Sequence, residues 1–200
     1  MFAHDARIAA LGRLSPVGAR IAAGPVAGAL VLLACGAAAG AATVLVQLEP
    51  RMPGHAILRG VLPLTLGLSL VPRRGGATLS AVAAAVTAVA LGVRGDAAGL
   101  GALTSLVLFG PVIDVGLQAV DRGARLLATF AACGVGVNVV AFLVKVAEKL
   151  ALPARGRPIA TWWQSAALSY VACGLVAGLV AAALFFRVER RAEHVPDAAS

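Results

Sequence analysis

Polar positions along this chain come in short clusters, and the stretches between them are almost unbroken apolar runs. Six such runs stand out: Gly24–Leu48, Ala56–Val71, Ala77–Val93, Ala97–Val120, Leu126–Leu150 and Ile159–Phe186. A helix needs about 20 apolar residues to cross the hydrocarbon core of a bilayer. Inside lipid the helix also satisfies its own backbone hydrogen bonds. The pattern predicts an all-α, polytopic membrane bundle of about six transmembrane helices, forming one domain over residues 1–200. The second and third runs are short, so each is expected to tilt little or to re-enter.

The separators are rich in proline and glycine, the residues that punctuate helices. They include Glu49-Pro50-Arg51-Met52-Pro53-Gly54, Pro72-Arg73-Arg74-Gly75-Gly76 and Pro153-Ala154-Arg155-Gly156-Arg157-Pro158. Loops this short make consecutive helices antiparallel neighbours, and none can hold a soluble domain. The segment Leu32-Leu33-Ala34-Cys35 looks like a lipoprotein cleavage box. The apolar run continues to Leu48, however, well past a secretory core of about 7–15 residues. The expectation is a retained helix.

Composition agrees with this pattern. The 200 residues are 60% hydrophobic and 13% charged, against about 45–50% and 25% in soluble domains. The net charge of +8 comes from 17 basic and 9 acidic residues. In a soluble chain that excess would suggest nucleic acid. Here the basic residues flank apolar runs, as in membrane loops, and no nucleic-acid partner is expected. With six crossings both termini share one side. Ten of the 17 basic residues, from Arg7 to Arg191, flank that side, and seven, from Arg51 to Arg157, flank the other. The bias places both termini in the cytoplasm and the chain in the cytoplasmic membrane.

Little of the usual catalytic chemistry is present. Cys35, Cys133 and Cys173 lie singly within apolar runs, and His4, His55 and His194 are scattered. No metal site and no cofactor is expected. There is no phosphate loop, no HExxH, no GxSxG and no pair of carboxylates within the runs. The chain is read as a binder rather than an enzyme.

Four features remain. His55 and Arg59 share one helix face after the Pro53-Gly54 turn. There a histidine can donate or accept, and an arginine can clamp a carboxylate or phosphate. Asp114 is an acid inside a long apolar run, costly there and so a functional or structural candidate. It is expected to sit in a polar network with an arginine such as Arg122 or Arg73. Polar residues also gather toward one end of the last three helices, at Thr104 and Ser105, at Asn138 and Lys145, and at Trp162, Trp163, Gln164, Ser165 and Tyr170. Both tryptophans and the only tyrosine fall in that last stretch, which has the makings of a small-molecule pocket. Finally, Gly36 and Gly40, with Ala34, Ala38 and Ala42, are expected to give the first helix one smooth face for close approach.

Taken together, these features resemble the substrate-binding S component of energy-coupling factor transporters. The local likeness lies in the stretches Gly101-Ala102-Leu103-Thr104-Ser105 and Gly110-Pro111-Val112-Ile113-Asp114, and in the Ala34/Ala38/Ala42 spacing. The resemblance implies a membrane subunit that binds a vitamin or other micronutrient from outside. It implies a docking face at Ala34, Ala38 and Ala42 for a coupling transmembrane subunit, with two ATPase subunits completing the transporter. It makes His55, Arg59, Thr104, Asn138, Lys145, Trp162, Trp163 and Gln164 substrate-binding candidates. Cobalt and nickel members carry histidine directly after the initiator Met, where this chain has Phe2, which speaks against a metal substrate. Two readings stand beside this one: a non-catalytic structural or assembly subunit, and a small lipid-acting enzyme using His55 and Asp114.

Overall fold

The computed structural model describes residues 12–21, 24–46, 54–92, 99–119, 124–151 and 159–186. Seven helices form among them: α1 (Ser15–Ile21), α2 (Pro25–Leu45), α3 (Ala56–Leu70), α4 (Gly76–Ala90), α5 (Gly99–Gln118), α6 (Ala124–Ala151) and α7 (Ile159–Phe185). No strand accompanies them among the described residues; an isolated bridge joins Gly12 to Phe186. The protein is an all-helical bundle. Helix α1 lies outside the apolar pattern and was not expected from it.

Four helices, α2, α5, α6 and α7, are long and apolar enough to cross a membrane. Helices α3 and α4 are apolar but have 15 residues each. At 1.5 Å per residue they rise about 22 Å, short of a hydrocarbon core of about 30 Å. Large apolar side chains such as Leu30, Val86, Val115 and Leu168 remain more than half exposed on the outside of the bundle. In lipid that exposure carries no penalty, and it accounts for a chain more hydrophobic than its own core requires.

The ends of the helices follow local chemistry. Helix α2 opens with Pro25 at its first position, where a missing N–H costs nothing. Gly75 takes a left-handed conformation, φ 74°, at the start of α4, and this reverses the chain straight after α3.

Packing is set by backbone-to-backbone approach at glycines. A Cβ on Gly36 or Gly40 of α2 would fall 2.2 Å from the Ser80 carbonyl oxygen or 2.3 Å from that of Ala84 in α4. Both contact pairs advance by four residues, so α2 and α4 run parallel, and Ser80 Oγ donates to Leu32 O at 2.9 Å. Helices α6 and α7 are antiparallel, with Gly134 against Gly174 and Gly178 against Phe130. Helix α5 packs between α4 and α6, while α3 contacts α2, α4, α5 and α7. The inward face of α3 is Ile57, Val61, Leu64 and Leu68, all nearly inaccessible, at the i, i+4, i+7, i+11 spacing of one helix stripe.

The bundle therefore has two distinct ends. At the terminal end, Arg13 N donates to Phe185 O at 2.9 Å, and Arg13 Nε donates to Phe186 O at 2.9 Å. Leu14 N donates to Ser69 Oγ at 3.3 Å. These bonds tie α1 to the finishing turns of α3 and α7. The other end is formed by the close of α2, the start of α3, the start of α5 and the α6–α7 hairpin. Asn138 and Tyr170 lie beside Gly54, at the beginning of α3. The stretches Asn138–Ala151 and Ile159–Tyr170 run on past that point, about 16–20 Å at 1.5 Å per residue.

Candidate functional site

The hairpin end collects most of the candidate side chains, in three groups. The first group sits where α2 meets α3. Arg59, one turn into α3, donates through Nη1 to Thr43 O at 3.1 Å and to Val46 O. Those carbonyls belong to the last turn of α2 and to its C-cap residue Val46, where intrahelical donors run out. Arg59 thus caps α2 from the neighbouring helix. Its Nη2 contacts His55 Nε2, as expected of a pair on one helix face. Its Nε is buried without a hydrogen-bond partner.

The second group is a buried clamp. Asn138 is fully inaccessible. Its Nδ2 donates to Tyr170 O at 2.7 Å and to Gly54 O at 3.3 Å. Its Oδ1 accepts from Ser105 Oγ at 3.3 Å, and Ser105 Oγ also contacts Gly101 O at 3.1 Å. One amide therefore joins the start of α3 to α5, α6 and α7. Buried polar groups need such partners, and these occupy both N–H groups of Asn138 in binding the protein's own backbone. Tyr170 is itself buried, its ring against Gly54.

The third group rises along α6. Asn138, Phe142, Lys145 and Lys149 follow the i, i+4, i+7, i+11 spacing of a single stripe. Phe142 stacks on Trp162, with ring centroids 6.0 Å apart, and tilts against Tyr170 at 5.5 Å. The Lys149 ammonium lies 4.8 Å from the centre of the Trp162 ring, close enough for a cation–π attraction. Lys145 pairs with Glu148 at 2.9 Å. This ion pair lies against Gly99, the first residue of α5, where a Cβ would be 3.2 Å from Lys145 Nζ and 3.8 Å from Glu148 Oε2.

The remaining candidates face elsewhere. Trp163 and Gln164 are exposed, because consecutive helical residues point about 100° apart and only Trp162 turns toward α6. The Thr104 hydroxyl donates to Leu100 O at 2.7 Å within its own helix. Phe142, Glu148 and Lys149 were not singled out in the sequence, although their spacing with Asn138 and Lys145 was a readable signal.

Asp114 belongs to the other half of the molecule. Its Oδ2 accepts from Thr78 N at 2.9 Å and Thr78 Oγ1 at 2.6 Å. Thr78 is in the first turn of α4, so Asp114 caps that helix from α5, as a capping carboxylate does. Asp114 Oδ1 is buried without a partner. The Arg73 guanidinium reaches toward Pro25 O at 3.5 Å, and Arg122 lies outside the described residues.

Helix α2 also corrects an expectation. Gly36 and Gly40 are buried against α4, whereas Ala34 and Ala38 are exposed and Ala42 is half-buried. Residues two apart on a helix point about 200° apart. The glycines and the alanines therefore form two opposite faces rather than one. Among the described residues no three His, Cys, Asp or Glu side chains group as metal ligands. No protein-family model, curated protein or solved structure matches the chain.

Proposed function

We propose that this protein is the membrane-embedded, substrate-binding subunit of a micronutrient uptake system, of the kind formed by energy-coupling factor S components. The observation that carries the reading is the α6 stripe facing α7 above the start of α3. It brings aromatic rings, lysines and a buried polar floor together at one end of an otherwise apolar bundle. Such a combination of apolar walls and a few converging polar groups suits a small water-soluble ligand.

In this reading Trp162 and Phe142 form an aromatic wall. Lys145, Lys149 and Arg59 favour an anionic group on the ligand, with His55 holding Arg59. Asn138 and Tyr170 are the floor, and Asn138 acts by fixing the helices rather than by touching ligand. Thr104, Trp163 and Gln164 belong to the rim. The hairpin end faces outside and the termini face the cytoplasm. The outward Ala34 and Ala38 offer a smooth face to a coupling subunit, which ATPase subunits would drive. The protein itself performs no chemistry.

A second reading, a structural or assembly subunit, draws on one observation. Asn138, Ser105, Arg59 and Asp114 all spend hydrogen bonds on the protein's own backbone. A lipid-acting enzyme is disfavoured, because His55 stands at the start of α3 and Asp114 beside the start of α4. Those points are separated by the length of α3.

The test is mass spectrometry of the protein purified gently from its native membrane. The proposal expects a bound small molecule together with a membrane subunit and ATPases. A protein recovered alone and empty favours the structural reading and removes the transport one.

A further inference from the structure

We infer that the terminal end of the bundle is a binding surface for anionic phospholipid headgroups, independent of whatever the hairpin end binds. Five described arginines converge there: Arg13 and Arg20 beside and within α1, Arg73 and Arg74 between α3 and α4, and Arg125 in the first turn of α6. All five are exposed. The topology brings them together from distant parts of the chain. Arg13 is hydrogen-bonded to Phe186. Gly18 of α1 packs directly on the Leu70 carbonyl, just before Arg73. Phe130, in the second turn of α6, meets Phe186 with ring centroids 4.8 Å apart.

Asp114 is the described acid nearest to this surface, and that carboxylate is buried at 8% exposure and bonded to Thr78. Its cations are all arginines, while both lysines of the chain stand at the opposite end. A guanidinium fork matches a phosphate bidentately, which an ammonium cannot.

Apolar side chains beside the arginines identify the partner as a lipid. The Arg73 guanidinium reaches the first residue of α2, at Pro25 O. From there Val26, Leu30 and Leu33 descend α2 at 71%, 61% and 38% exposure, at the i, i+4, i+7 spacing of one face. Val17 of α1 is 49% exposed alongside. A soluble anion or a nucleic acid would satisfy the arginines and leave this stripe unused. A phosphodiester headgroup with acyl chains attached satisfies both, with phosphate at Arg73 and Arg74 and chains along α2. Clusters of arginine at a membrane boundary act on anionic lipid in this way.

The test uses the full-length protein in nanodiscs of mixed phosphatidylcholine and phosphatidylglycerol, with retained lipids counted by native mass spectrometry. The wild type is expected to retain phosphatidylglycerol preferentially. Arg73→Gln with Arg74→Gln should lower that preference by about fivefold for each arginine removed, while Arg73→Lys with Arg74→Lys should give an intermediate loss, because the charge stays and the bidentate fork goes. Should the α3–α4 turn fail to tolerate glutamine, Arg20→Gln on α1 reads the same surface and should lower the preference about fivefold. A wild type without preference overturns the inference, and so do glutamine variants that retain it in full. If the variants lose a co-purifying acidic subunit while lipid retention stays constant, the surface belongs to a protein partner and the lipid assignment falls.

Discussion

Gly134 and Gly136 lie two residues apart on α6 and face opposite ways, so their alanine variants isolate what glycine does at the α6–α7 crossing. A Cβ on Gly134 would lie 2.3 Å from Gly174 O, while one on Gly136 would meet nothing within 4 Å. Ordinary contact begins at 3.4 Å, so Gly134→Ala forces the two helices about 1.1 Å apart. The obstacle is backbone and cannot rotate away. Overpacking of this kind costs about 1–3 kcal/mol, and its upper half applies where no side chain can yield. Alanine regains about 1 kcal/mol of helix propensity at either site. Gly134→Ala should therefore destabilise by about 1–2 kcal/mol, and Gly136→Ala should be neutral or stabilise by up to about 1 kcal/mol. Reversible unfolding in mixed detergent micelles, followed by far-ultraviolet circular dichroism, measures both. Two variants within about 0.5 kcal/mol of each other, or in reverse order, would refute glycine-mediated packing of α6 on α7.

Four further outcomes follow from the packing and the polar contacts. Asn138→Ala removes an inaccessible amide with partners on three helices. At about 0.6 kcal/mol for each interhelical hydrogen bond in a membrane, plus the cavity left behind, it should lower stability by about 2 kcal/mol in the same unfolding assay; an unchanged midpoint would show that the clamp is idle. Asp114→Ala leaves the first turn of α4 uncapped and should cost about 1–2 kcal/mol, with Asp114→Asn recovering part because an amide oxygen still accepts from Thr78 N. Equal losses for the two variants would mean that the charge, rather than the cap, matters. At the proposed binding end, Trp162→Ala should weaken ligand affinity at least tenfold by calorimetry with the compound identified in the native preparation, at about 1.4 kcal/mol per tenfold. Ala38→Leu should reduce recovery of the coupling subunit while leaving the melting temperature unchanged, and full recovery would move the docking face elsewhere.

The apolar runs determined that this chain is a bundle of membrane-type helices and placed each of α2 to α7 to within a few residues. The physics there is local: a helix in lipid must be continuously apolar and must satisfy its own backbone, and proline and glycine end it. The pairing of His55 with Arg59 was legible for the same reason, since four residues is one turn. The direction in which each helix faces was not legible. Lipid is as apolar as a protein interior, so a helix such as α2 is hydrophobic all round, and its sequence does not mark which side meets protein. Only the tertiary structure separated Gly36 and Gly40, pressed against α4, from Ala34 and Ala38, turned outward. Only it set α2 parallel to α4, brought Asp114 to Thr78, and committed Asn138 to the backbone of Tyr170 and Gly54. Each of those facts depends on a partner far away in sequence. In a bundle whose surface and core share one polarity, that partner is chosen by how closely two backbones can approach, a property that exists only once the helices are packed.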